Sequence, residues 1–192
     1  MDRKTSFEAE ALPHLDAVYR FALRLTGSPT EAEDLTQETF LRAWRAWEQY
    51  TPGTRAKSWL FTICRNAFLR QRERAVRHDE IVQQAARTGE AAGADPAENT
   101  VFSGTADVDP EGDFFREIID DSVLEAIDAL PDEFRHAVVL SDLEGLPYAE
   151  VAEILDVPVG TIKSRLFRGR RLLQKTLYDY AVDNGYIRPR DR

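Results

Sequence analysis

Six basic residues and no acid lie between Thr161 and Lys175: Lys163, Arg165, Arg168, Arg170, Arg171 and Lys175. On a helix, at about 100° per residue, Ile162, Leu166, Gly169 and Leu173 share one side. Lys163, Ser164, Phe167, Arg168 and Arg171 share the other. That second set suits the reading of duplex DNA. Arginine grips guanine edges bidentately, serine donates or accepts, and an aromatic ring meets a thymine methyl. Thr161, Arg165 and Arg170 flank the face, where phosphate contacts belong. An ordinary solvated helix face has similar cations. The missing acids and the outward aromatic tip the balance toward DNA.

A second basic block runs from Thr51 to His78, where Arg55, Lys57, Arg65, Arg70, Arg72, Arg74 and Arg77 face a single acid, Glu73. Tyr50, Trp59, Phe61 and Phe68 are interleaved with it. Cations follow phosphates and aromatics hold unstacked bases, which is the chemistry of a single-strand reader. Asn66 adds an amide able to hydrogen-bond an extruded base. The plainer alternative makes Trp44, Trp47 and Trp59 a three-helix core and leaves Asn66, the cations and the Tyr50–Arg55 loop for function. Catalysis finds no support: His14, His78 and His136 are scattered, and no nucleotide-binding glycine loop or metal cluster is apparent. No enzymatic activity, metal or cofactor is expected. Cys64 is the single cysteine, so the chain forms no internal disulfide and builds no cysteine zinc site. It reads as a small hydrophobe in a helix core, in a reducing cytoplasm.

These groups must be positioned by 192 residues with 43% hydrophobic content and a net charge of −9. No run approaches the ~20 apolar residues of a membrane span, and Met1–Ser6 leads into Glu8 and Glu10 rather than an apolar segment, so no secretory signal or membrane insertion is expected. The periodicity predicts an all-α fold of two small helical domains. In the first, spanning 1–78, Leu12, Leu15, Tyr19, Ala22 and Leu23 mark one helix. A second runs from about Glu31 to Glu48, and a third from about Arg55 to Arg77 with Trp59, Leu60, Ile63, Cys64, Ala67 and Phe68 as its apolar line. Residues 79–114 read as a flexible acidic linker, with at most a helical turn near Ile81–Ala86. In the second domain, 115–192, helical pattern resumes near Phe115, with Ile118, Ile119, Val123, Ile127 and Leu130. Pro147–Leu155, a break at Asp156–Pro158, and a long helix from Val159 to about Val182 form a helix-turn-helix. Between Asp79 and Glu133 two basic residues face sixteen acids.

At this point the residues fall into a familiar order. Glu33-Asp34-Leu35-Thr36-Gln37-Glu38-Thr39-Phe40-Leu41-Arg42-Ala43-Trp44, then Lys57-Ser58-Trp59-Leu60-Phe61-Thr62-Ile63-Cys64-Arg65-Asn66, resembles domain two of the bacterial sigma-70 superfamily. Leu130-Pro131-Asp132-Glu133-Phe134-Arg135, Val151–Leu155 and Pro158–Arg170 resemble domain four. Both occur in order with little else, the pattern of the extracytoplasmic-function sigma factors.

The resemblance implies binding to core RNA polymerase and direction of it to promoters. Asp34, Gln37, Glu38 and Arg42 match the surface that docks on the polymerase. Their plain alternative is a solvated face with pairs such as Glu38–Arg42. Arg55, Lys57, Trp59, Arg65, Asn66 and Arg70 are expected at the single-stranded −10 element, with Asn66 in the place of the promoter-melting asparagine. Thr161, Lys163, Ser164, Arg165, Phe167, Arg168 and Arg171 are expected at the duplex −35 element. An anti-sigma factor is the expected regulator. The Thr51–Thr54 loop and the Tyr180–Tyr186 tail resemble the group controlled by redox-sensitive zinc anti-sigma factors. The acidic span is read either as an RNA mimic in the polymerase or as a self-repelling tether. A helix-turn-helix regulator acting without polymerase is the competing class. It would need a sensor or dimerisation module in place of the N-terminal one.

Overall fold

Apolar residues at three- and four-residue spacing drive the chain into helices, and among the described residues there is no strand. The computed structural model describes residues 3–88 and 121–186, apart from the side chains of 79 and 81–88. In the N-terminal lobe α1 (Arg3–Glu10), α2 (Leu15–Thr26), α3 (Pro29–Arg45) and α4 (Ala56–Thr88) are joined by short 3-10 turns at Leu12–His14 and Trp47–Gln49. The C-terminal lobe holds α5 (Asp121–Asp128), α6 (Asp132–Val138), a π turn (Val139–Leu143), α7 (Tyr148–Leu155), α8 (Val159–Thr176) and α9 (Tyr178–Asp183). The expected resumption near Phe115, Ile118 and Ile119 lies outside the described residues, as does most of the acidic linker.

α2, α3 and α4 pack on one another around Val18, Phe21, Leu25, Leu35, Leu60, Phe61 and Cys64. The buried phase of α2 differs from the sequence expectation. Val18, Phe21, Ala22 and Leu25 face the core, whereas Leu12 and Leu15 are 44% and 45% exposed. Leucine at the head of a helix counts as apolar in a pattern but meets solvent before the first turn reaches the bundle. Gly27 closes α2 at φ +73°, a left-handed cap. Ser28 Oγ then accepts from the Glu31 amide and Pro29 opens α3. α1 was not anticipated, since one buried residue makes no period. Phe7 anchors it, with ring centroids 5.2 Å from Trp44 and 5.0 Å from Trp47, both edge-on.

α4 continues past the expected end near Arg77, through Ile81–Ala86, to Thr88. In the other lobe the long helix expected to Val182 is two helices. α8 stops at Thr176, Leu177 interrupts it, and α9 begins at Tyr178. α6 and α8 approach so closely at Gly169 that a Cβ there would stand 3.0 Å from Val138 Cγ2 and 3.3 Å from Phe134 Cβ. The lobes also meet, α4 lying along α7 and α2 against α6 and the π turn.

Candidate nucleic-acid interface

Pro158 precedes the first turn of α8 and accepts from the Thr161 and Ile162 amides at 2.9 and 3.2 Å. Asp156, at φ +51°, makes the sharp turn between α7 and α8. With Ile162, Leu166 and Gly169 buried, the opposite face must look outward. Lys163, Arg168 and Arg171 are exposed there, and Phe167 is 66% exposed. The exposed phenyl ring thus stands among cations on the face turned away from the core. Ser164 Oγ donates to the Thr161 carbonyl at 2.8 Å, and both residues are half-buried at the edge of the face.

Two arginines of the same helix behave differently. Arg170 is a brace. Its guanidinium donates to both Asp142 carboxylate oxygens, at 3.0 and 2.5 Å, and to the Tyr148 hydroxyl at 3.3 Å. These bonds, Asp142 first, push its pKa further up. Arg165 is turned inward, its Nε 3.4 Å from Glu133 Oε2 yet without hydrogen-bond alignment.

The six residues expected at single-stranded DNA separate into three settings. Asn66 and Arg70 are exposed on α4. Trp59 lies in an aromatic cluster, its ring 5.8 Å from Trp47 and 5.1 Å from Tyr50. It also lines a shallow cleft with Tyr50, Thr51 and Thr62. Arg55, Lys57 and Arg65 turn toward the other lobe. Lys57 Nζ is 2.8 Å from Glu144 Oε2, and Arg55 reaches Glu150 and Glu153 at 3.6 and 3.3 Å. Burial lowers the Arg65 pKa, Asp156 opposes that shift, and nearby Arg165 adds to it. Phe61 and Phe68 are core residues. Phe61 sits fully buried with its ring 5.1 Å from that of Phe21. This corrects any reading of them as base platforms.

On α3, Asp34 and Gln37 are exposed, and Glu38 Oε1 accepts from Arg42 Nε at 2.5 Å. Leu41 and Trp44, the latter a core residue in the plainer sequence alternative, are exposed beside them, Leu41 by 51%. The stripe 34, 37, 41, 44 follows helical spacing, so a helical wheel drawn from Asp34 would have found both. Cys64 is buried and its thiol is pushed up to about 12, opposed by a hydrogen bond with Thr39. Among the described residues no group of acidic, histidine and cysteine side chains could hold a metal, and no helix is long and apolar enough to cross a membrane.

A family profile described as Sigma-70 region 2 matches residues 12–78, and one described as Sigma-70, region 4 matches residues 120–173. The ECF RNA polymerase sigma factor SigW of Bacillus subtilis is 33% identical over 166 residues, covering 85% of this chain and 84% of that one. The chain belongs to the extracytoplasmic-function sigma factors. SigE of Mycolicibacterium smegmatis is 41% identical over 173 residues, covering 88% of this sigma factor but 61% of that one. This chain thus spans under two thirds of that relative's length. Among solved structures, the sigma factor RpoE of Bartonella quintana, in complex with the anti-sigma factor NepR, matches with TM-score 0.59 and 28% identity, covering 90% of this chain and 96% of that one. CnrH, in complex with the cytosolic domain of CnrY, shares the fold at TM-score 0.57 and 21% identity, over 93% and 90% of the two chains. In these terms the N-terminal lobe of the sigma factor is region 2, and the lobe carrying α7 and α8 is region 4.

Proposed function

We propose that this sigma factor binds core RNA polymerase in the cytoplasm, directs it to a distinct set of promoters, and is held in check by an anti-sigma factor. The observation that carries the reading is the ordered pair of region 2 and region 4 on one chain, with an open cationic face on α8. A regulator acting alone needs no region 2.

Each surface then has a role. Asp34, Gln37, Glu38 and Arg42 dock on the polymerase, with Leu41 and Trp44 supplying apolar contact beside them. Lys163, Phe167, Arg168 and Arg171 read base edges in the −35 major groove, with Thr161, Ser164 and Arg165 at its margin. Asn66, Arg70 and the Tyr50–Trp59 cleft take the opened −10 strand, with Arg55, Lys57 and Arg65 along its phosphates. The resemblance of the Thr51–Thr54 loop and the Tyr180–Tyr186 tail supports a zinc-containing, redox-sensitive anti-sigma partner. With Cys64 buried, the thiols and the zinc would lie in that partner. Copurification of a small His- and Cys-rich protein tests this.

The decisive test is transcription by purified core polymerase with and without the chain, followed by start-site mapping. Defined starts that depend on the chain are expected. Their absence overturns the reading. Asn66→Ala should impair strand opening, read by permanganate footprinting, more than polymerase binding.

A further inference from the structure

Thr51, Thr54 and Arg55 line the cleft assigned to the opened strand, and every residue from Thr51 to Arg55 is exposed. No side chain of this loop is held in the core, so polar contacts must set its shape. Its two ends are fixed. Before it, the Tyr50 ring is buried and stacked 4.5 Å from that of Trp47. After it, the Trp59 amide donates to the Arg55 carbonyl at 3.0 Å as α4 begins. Within it, the Thr54 hydroxyl donates to the Thr51 carbonyl at 2.7 Å. Gly53 stands at the tip with φ +76°, a left-handed conformation that glycine adopts without strain.

The tip is tied from outside the loop by Glu10, the last residue of α1. Its Oε2 accepts from the Gly53 amide at 2.7 Å and from the Tyr50 hydroxyl at 3.2 Å. One oxygen therefore joins the anchored end of the loop to its tip. The rest of α1 fixes where that oxygen lies. Arg3, Phe7 and Glu10 follow helical spacing along one face. Phe7 is buried against Trp44 and Trp47. Arg3 donates to the Glu48 carboxylate at 3.0 Å and to the Trp44 carbonyl at 2.6 Å, with its guanidinium 4.7 Å from the centre of the Trp44 ring. α1 is thus a strut laid from the end of α3 to the loop. It lies ahead of the residues matched by the region 2 profile, which begin at 12.

We propose that Glu10 is a positioning residue for −10 recognition, holding the Thr51–Arg55 loop through the Gly53 amide and the Tyr50 hydroxyl in the conformation that meets the opened strand. It acts through the loop and not on the DNA. Glu10 does not line the strand cleft, and a carboxylate repels the phosphates of a strand. Its charge strengthens both hydrogen bonds. A loop held before the strand arrives need not be ordered on binding. This inference rests on the reading that the Tyr50–Trp59 cleft takes the opened strand.

The test uses holoenzyme reconstituted from core polymerase and the full chain, as wild type, Glu10→Ala or Glu10→Gln. The probe is a fork promoter DNA with a single-stranded −10 segment, beside the same fork with abasic sites in place of the −10 bases. If the freed loop keeps the reading conformation about one time in five, Glu10→Ala weakens binding of the intact fork about fivefold. Its binding of the abasic fork and of core polymerase should match wild type. Glu10→Gln keeps an oxygen able to accept both bonds but without the charge, so its affinity for the intact fork should fall between the other two. An intact-fork affinity unchanged by Glu10→Ala would overturn the brace. An equal loss on both forks would overturn it too, since that marks a general defect of the fold. So would a Glu10→Gln variant as weak as Glu10→Ala, since the retained acceptor would then contribute nothing. Wild-type holoenzyme that binds both forks alike would overturn the reading of the cleft, and the brace with it. That result comes from wild type alone and is distinguishable from failure of the brace by itself.

Discussion

The faces of α4 and α8 carry similar charge and opposite fates. Between Thr51 and His78 seven basic residues face one acid, and between Thr161 and Lys175 six face none. On α8 the outward cations meet solvent, with Phe167 standing among them. On α4 and its neighbour α2, the cations nearest the other lobe are already engaged by carboxylates. Counting charge along a sequence measures how strongly a surface would hold a polyanion. It does not measure whether that surface is free to do so. The difference arises from the partner lobe, whose acids are dispersed over α5, α6, the π turn and α7 and converge only in space.

The largest effect should come from the seam itself. His136 on α6 is buried with its ring 6.4 Å from Phe21 of region 2, and its Nε2 has no hydrogen-bond partner. Burial pushes its pKa down to about 4 from 6.5. Arg135, Arg65 and Arg165 act in the same direction, while Asp132 opposes them. The unfolded chain therefore binds a proton at a pH where the folded one does not. Stability from this group is full above about pH 6.5 and is lost as pH falls toward 4, by roughly 3 kcal/mol. Denaturant melts of wild type and His136→Gln across that window check it. A variant whose stability falls as steeply with acid as wild type would remove His136 as the cause.

Next is the open face. Arg168→Ala should cost about 1–3 kcal/mol of discrimination at one −35 position, read as a change in promoter preference in reconstituted transcription. Fold stability should be little altered, because Arg168 is exposed. Phe167→Ala should likewise spare stability, within about 0.5 kcal/mol, yet weaken −35 binding. An unchanged preference at every position after Arg168→Ala would make this face ordinary solvated surface and erase the contrast with α4.

How much of this was legible in the sequence varies by element. On α8 the exposure of Lys163, Phe167, Arg168 and Arg171 was readable, because a helix with one buried side fixes the other, whereas the half-burial of Ser164 and the hold of Asp142 on Arg170 were not. The Asp156–Pro158 break and the burial of Cys64 followed from local pattern too. The phase of α2 was not readable, since Leu12 and Leu15 carry the same apolar signal as Val18 and Phe21. Neither was α1, whose place depends on one phenylalanine meeting two tryptophans about forty residues away. The split of α8 and α9 at Leu177 has no proline or glycine to announce it. Glu144 was invisible for a stronger reason: its two cationic partners lie 124 and 87 residues away, and nothing in its own neighbourhood marks it as buried.

The smallest effect separates the two sides of α8 from one another. Gly160 and Gly169 lie in the same helix, and alanine favours helix over glycine by about 1 kcal/mol in an interior position and less near an end. At Gly160 a Cβ meets nothing within 4 Å, so Gly160→Ala should raise stability by about 0.5 kcal/mol. At Gly169 the propensity gain is opposed by contacts of 3.0 and 3.3 Å. One of them is Phe134 Cβ, which cannot swing away without moving the α6 backbone. Overpacking of this kind costs about 1–3 kcal/mol, so Gly169→Ala should lower stability by about 1 kcal/mol net. Paired thermal melts of the two variants read the difference, and equal shifts would show that α6 yields at this contact. A yielding contact would also let α8 tilt, and Arg168 would then lose its fixed register on the groove, so the Gly169→Ala variant should be assayed for −35 preference alongside the melt.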